Sequence, residues 1–250
     1  KMKRSNEQNG FNSKRCYAIY KDHLGRLWFS TMEYGILTYD GQTDRFRKVY
    51  KTAALVLDID DDNRGNLWFS SQGAGLYRYN YMTRRWSNYR NSKSVFSIPS
   101  DQVNCLCVGD KGRLWIGSSG GLCYYNPTKD NFRRLALAQE GSDVSGIVYD
   151  QGVLWLATTH GILRYERGEA LRFFNRYDGL SCEVFRPNAE LKTSDGRIFF
   201  GGINGFTAFY PYQIRVNKMD PAVFITGLEV YNQPQKAGSK LLPKAIGYIN

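Results

Sequence analysis

Apolar and polar residues along this chain fall in short runs, each closed by Gly, Asp, Asn or Pro. One stretch shows the pattern. Val103-Asn104-Cys105-Leu106-Cys107-Val108 alternates as a strand does. Asp110-Lys111-Gly112 reads as a turn, and Leu114-Trp115-Ile116-Gly117 as a second strand. Ser119-Gly120 leads into a third, Gly121-Leu122-Cys123-Tyr124-Tyr125. Asn126 to Asp130 turn the chain again before Asn131-Phe132-Arg133-Arg134-Leu135. Tight hairpins need a positive or a preset φ, which is why these residue types mark the turns. The unit predicts four short strands joined by tight turns.

The unit repeats. Leu27-Trp28-Phe29-Ser30 returns as Leu67-Trp68-Phe69-Ser70, as Leu114 to Gly117, as Leu154-Trp155-Leu156-Ala157 and, degenerately, as Ile198-Phe199-Phe200-Gly201. Three residues before each aromatic centre stands a glycine: Gly25, Gly65, Gly112, Gly152 and Gly196. Six or seven residues after it stands another, and an aromatic follows four residues on, at Tyr39, Tyr79, Tyr125, Tyr165 and Phe209. The centres are spaced 40, 47, 40 and 44 residues apart. Four strands in that period predict a β-propeller blade. The expected fold is all-β, with blades over about 11–51, 52–92, 100–136, 142–176 and 183–217. The Trp and Tyr positions are expected to pack against neighbouring blades. Residues 218–250 lack the blade pattern, and Ala222 to Tyr231 reads as a strand opening a second β domain.

Composition narrows the function classes. No run of eighteen apolar residues exists, so no segment reads as a membrane-spanning helix. Lys and Arg number 34 against 23 Asp and Glu, a net charge of +11, but the cations are scattered rather than blocked. That suits a solvated surface or an anionic ligand, and no nucleic-acid docking motif accompanies it. Five cysteines are an odd number, which excludes a complete disulfide framework.

The unit Asp-x-x-Gly-x-Leu-Trp, followed by Gly-[Leu/Ile]-x-x-Tyr-[Asn/Asp], resembles the two-component regulator propeller (Reg_prop) repeat. Asp22 to Asp40 and Asp62 to Asn80 fit it well. Tyr177-Asp178-Gly179-Leu180 through Phe209-Tyr210-Pro211 resembles the last blade of such propellers. Pro221 to Leu228 resembles the entry to the Ig-like Y_Y_Y domain. The resemblance implies the periplasmic sensor region of a Bacteroidetes hybrid two-component histidine kinase, the ectodomain of an inner-membrane protein. It also implies a seven-bladed ring, of which five blades are visible, so truncation at both ends is expected. The kinase, receiver and DNA-binding parts are absent from this sequence, and neither His23 nor His160 is assigned as a phosphoacceptor.

Candidate chemistry is sparse. Asp58, Asp60, Asp61 and Asp62 lack the Gly and Glu of an EF-hand loop and read as a β-turn before the Trp68 strand. Cys105 and Cys107 read as small buried residues. Two histidines in unlike surroundings argue against zinc. No Gly-x-Ser-x-Gly elbow or phosphate-cradling Gly-rich loop is present. No catalytic residue, cofactor or metal is expected. By resemblance, the innermost strands begin at Cys16, Leu55, Val103, Val144 and Phe185, and the loops before them face one mouth of the channel. The candidate ligand contacts there are Lys14, Arg15, Gln102, Asn104, Arg186 and Asn188. Arg186 and Asn188 flank Pro187, and an arginine suits a carboxylate or sulfate. The expected ligand is a glycan-derived oligosaccharide, anionic in one version. A homodimer is expected to pass the signal through the Ig-like domain. Two alternatives stand: a propeller lyase or hydrolase of polysaccharides, and a protein-binding scaffold.

Overall fold

The computed structural model describes residues 13, 15–52, 54–137, 143–167, 171–214, 229–231 and 233–234. Two compact units divide the chain at 213/214. The first contains five consecutive antiparallel sheets. They are β1 (Cys16–Lys21), β2 (Leu27–Thr31), β3 (Gly35–Asp40) and β4 (Arg45–Tyr50), then β5 (Leu55–Asp61), β6 (Asn66–Gln72), β7 (Leu76–Asn80) and β8 (Arg85–Tyr89). The third sheet is β9 (Val103–Val108), β10 (Leu114–Ser118), β11 (Gly121–Asn126) and β12 (Asn131–Leu135). The fourth is β13 (Val144–Asp150), β14 (Val153–Thr158), β15 (Gly161–Glu166) and β16 (Arg172–Phe174). The fifth has β17 (Phe185–Lys192), β18 (Ile198–Gly202) and β19 (Gly205–Phe209), three strands among the described residues where the repeat predicts four. Each sheet is a meander, and the first strands pack in series, β1 on β5, β5 on β9, β9 on β13 and β13 on β17. These are the blades of a propeller, with the first strand of each innermost.

The repeated aromatics hold one blade to the next. The Trp of each of the first four blades meets the aromatic near the end of the third strand of the following blade. Trp28 lies 5.5 Å from Tyr79, Trp68 4.6 Å from Tyr125, Trp115 6.4 Å from Tyr165 and Trp155 4.8 Å from Phe209. Such pairs add about 0.5–1.5 kcal/mol each beyond the area they bury. All four tryptophans are buried.

The second repeated glycine has a steric cause. Gly35, Gly75 and Gly161 have φ of +73°, +76° and +113°. A Cβ there would sit 2.5 Å, 2.2 Å and 2.1 Å from the carbonyl oxygens of Tyr50, Tyr89 and Phe174, at the end of the fourth strand. Glycine alone lets the third strand start so close to the fourth.

The Asp of the repeat closes the first turn. Asp22 accepts the amides of Leu24 and Arg26, the Arg26 Nε and, at 2.8 Å, the Trp28 indole Nε1. Asp62 accepts the amides of Arg64 and Asn66, the Asn66 Nδ2 and, at 2.9 Å, the Trp68 Nε1. The equivalent positions in the next blades are Gly109 and Tyr149, so the tie to the indole is missing there.

Of the second unit, only β20 (Glu229–Val230) and β21 (Gln233–Pro234) are described. The expected Ig-like entry at 221–228 lies outside the described residues. Among the described residues, no helix is long and apolar enough to cross a membrane.

Candidate ligand-binding site at the propeller axis

The innermost strands begin at Cys16, Leu55, Val103, Val144 and Phe185. Each leaves one edge without a sheet neighbour, and its N–H groups need acceptors. Side chains of adjacent blades supply them. Asp58 and Asp60 of β5 accept the amides of Leu106 and Val108 in β9, at 2.7 Å and 2.9 Å. Glu190 of β17 accepts the Ile147 amide of β13 at 3.2 Å. Tyr20 of β1 donates to Asp60 at 3.3 Å and accepts the Asp61 amide.

This corrects the reading of Asp58 to Asp62 as a turn. Asp58, Asp60 and Asp61 belong to β5, and only Asp62 opens the turn that leads to β6. Alternation along β5 aims Asp58 and Asp60 at the free edge of β9. Desolvation raises both, Asp58 from 3.8 to about 7, helped by the charge of Asp60, and Asp60 to about 6. Burial and the charge of Asp58 raise Glu190 from 4.5 to about 8. Glu190 Oε2 is buried and has no hydrogen-bond partner among the described residues.

The candidate residues fall unequally around this axis. Lys14 lies outside the described residues. Arg15 is exposed, its Nη1 4.0 Å from the Met32 sulfur. Gln102 is exposed and bridges to Gln72. Asn104 is only 7% exposed, and its Nδ2 donates to Asp143 at 2.6 Å and to the Val144 carbonyl at 3.0 Å. It therefore ties the third blade to the fourth. Arg186 and Asn188 stand together on a wide bulge: Phe185 pairs with Gly202 and Glu190 with Phe200, so residues 186 to 189 face Gly201 alone. Asn188 takes φ +52°, and its Nδ2 donates at 2.7 Å to the Leu57 carbonyl of the second blade. Arg186 is exposed and makes no ion pair among the described residues. The bulge thus carries a guanidinium with no ion-pair partner among the described residues, on an anchor that spans from the fifth blade to the second.

All five cysteines are free. Cys105 is buried, and its thiol is pushed well up by desolvation, as is Cys107, to about 12. Such thiols are poor nucleophiles. His23 is bonded to Asp61 in the first inter-blade contact, and His160 stands beside Thr159 in a turn. No group of three or more metal-ligating side chains occurs among the described residues.

One feature escaped the sequence. A groove of about 1150 Å³ crosses the second, third and fourth blades at the far end of the inner strands from Arg186. Its wall comes from scattered positions in three repeats, so no local motif announces it.

Comparison with known proteins places the repeats and the fold. Residues 10–33 and 97–120, on the first and third blades, match the two-component regulator propeller family model. Histidine kinase P4 of Formosa agariphila is 19% identical in an alignment covering 62% of this chain and 15% of that protein. The extracellular domain of a hybrid two-component system from B. thetaiotaomicron superposes with a TM-score of 0.61 at 20% identity. That superposition covers 88% of this chain and 30% of the other. YCF48 from Cyanidioschyzon merolae, at 14% identity and a TM-score of 0.55, covers 76% of this chain and 67% of its own. The chain spans under a third of the kinase and of the extracellular domain, and the likenesses together show a β-propeller, two stretches of which match the two-component regulator propeller model.

Proposed function

We propose that this chain is part of the extracytoplasmic sensing module of a hybrid two-component histidine kinase, and that the module responds to glycan-derived oligosaccharides. The observation that carries the reading is the match of the first and third blades to the two-component regulator propeller model, on a chain whose other blades share the same glycine and aromatic spacing. The chain itself is non-catalytic in this account. Cys105 and Cys123 are buried in the blades, and His23 is spent on an inter-blade bond to Asp61.

Ligand contact at the axis falls to Arg186 and the surrounding bulge. A ligand anion on Arg186 would pull on a loop that already reaches the second blade through Asn188. A ligand that favours one arrangement of the blades shifts the population toward it. In the full receptor this change passes through a following Ig-like domain, in a dimer, from a ring completed to seven blades in the periplasm.

The test is isothermal titration of the protein with acidic and neutral oligosaccharides. The reading expects binding in the micromolar range, weakened in Arg186→Ala. A protein that binds no oligosaccharide of either kind contradicts it.

A further inference from the structure

The groove across the second, third and fourth blades lies at the opposite end of the inner strands from Arg186. Its wall is made by the turns Asp62–Asn66 and Asp110–Arg113, with Gly152 and the outer turn at Asn126 and Pro127. The turns are locked together. A Cβ on Gly112 would fall 2.5 Å from the Asp62 carbonyl, and the Arg64 Nη2 donates to the Lys111 carbonyl. The concave surface is therefore preformed, which lowers the entropy lost on binding.

The wall is strongly cationic. Arg85, Lys111, Arg113, Arg133 and Arg167 line it, and none has a carboxylate partner among the described residues. Two further arginines of the wall are committed, Arg64 to the Lys111 carbonyl and Arg78 to Asp130 at 2.9 Å. The carboxylates in the wall are Asp62, whose oxygens are taken by its own turn and by Trp68, and Asp110, bonded by Tyr149. Arg113 is held over Tyr124 and Trp115, at 5.1 Å and 5.8 Å from the ring centroids. The repeat departs from its pattern here as well. Where Asp22 and Asp62 bind the indoles of the first two blades, the third blade has Gly109, and among the described residues no carboxylate takes the Trp115 N–H. The carboxylate that the first two blades place at this position is absent from the third, whose turn carries Asp110 one residue later.

We propose that this groove is a binding site for an acidic oligosaccharide, whose sulfate or carboxylate groups are held by Arg113, Arg133 and Arg167. A guanidinium presents paired N–H donors that match either group. Spaced cations along a groove fit spaced anions along a chain. That the anions are carried on a sugar rests on the sensing role proposed above. The position and the charge of the site rest on the groove.

The experiment is isothermal titration of the protein with a heparin-derived tetrasaccharide, a tetragalacturonate and neutral maltotetraose, at low and physiological salt. The variants are Arg133→Gln/Arg167→Gln in the groove, Arg186→Ala at the axis and Arg45→Gln on the exposed first blade. Thermal unfolding checks that each variant is folded. An acidic tetramer is expected to bind, to weaken with salt, and to lose about ten-fold or more in affinity in the groove variant. Arg45→Gln is expected to leave that affinity unchanged, and Arg186→Ala reads the axial site separately. Loss in Arg186→Ala with an unaltered groove variant overturns the groove site and upholds the axial one. Equal loss in Arg45→Gln overturns it as diffuse charge attraction. Binding of maltotetraose alone overturns the acidic ligand and leaves the sensing role standing. No binding of any sugar overturns both.

Discussion

At the scale of single residues, one carboxylate closes the first turn in each of the first two blades. Asp62 holds two backbone amides, an Asn66 side chain and the Trp68 indole. Removing a buried acceptor strands its donors, at about 1–3 kcal/mol for each that stays unsatisfied. Asp62→Ala is therefore expected to cost about 2–4 kcal/mol in denaturant unfolding, because water can reach only some of those donors. A loss below about 0.5 kcal/mol would show that the turn closes without the carboxylate. The tryptophans were legible because they recur in register, five aromatic centres with glycines at fixed offsets. The duty of the aspartate toward the indole was not, since the residue precedes the Trp by six positions and meets it only when the hairpin folds back. Trp155 shows the other side. Its repeat has Tyr149 in place of the aspartate, and its buried Nε1 has no partner among the described residues.

At the scale of elements, inner strands trade side chains for the missing sheet neighbour. β5 was misread in part for this reason. Four aspartates in five positions look like a turn locally, and the free N–H edge of β9 that they serve lies about fifty residues ahead in the chain. Arg186 and Asn188 were singled out beside Pro187 as loop residues, whereas they stand on a bulge within β17, and its anchor on Leu57 is 131 residues away and leaves no local signal. Two variants probe these contacts. Asn188→Ala removes the bridge and places an alanine at φ +52°, and is expected to lower stability by about 1–2 kcal/mol, whereas Asn188→Gly keeps the backbone and loses only the bridge. Alanine and glycine variants of equal stability would show that the left-handed conformation carries no cost. Gly161→Ala meets both a φ of +113° and the Phe174 carbonyl, and a loss of about 2 kcal/mol or more is expected by thermal unfolding. An unchanged melting temperature would mean that β15 and β16 separate freely.

At the scale of the whole molecule, three carboxyls at the axis make the assembly of blades sensitive to pH. Asp58, Asp60 and Glu190 have folded values of about 7, 6 and 8 against ordinary values of 3.8, 3.8 and 4.5. Asp61, Tyr20, Cys105 and Cys107 are the other titratable groups around them. Because the folded values are raised, the folded state binds more protons between the two sets. The stability these groups confer is complete below pH about 4 and is lost as the pH rises through about 8. The melting temperature is therefore expected to fall from pH 5 to pH 9, and Glu190→Gln to flatten the fall by on the order of 1–3 kcal/mol. A steeper fall in the variant would place the sensitivity elsewhere. The architecture at this scale was the most legible part, since the five blades and their order follow from the repeat. The groove was the least legible, because its cations come from three blades and are adjacent only in the folded propeller.

The central claim is that this propeller binds a sugar and reports it. Isothermal titration of the protein against the panel of acidic and neutral oligosaccharides tests it most directly. The account predicts micromolar binding of at least one acidic member, with affinity that falls as salt rises. Heat signals indistinguishable from dilution for every member of the panel would contradict it.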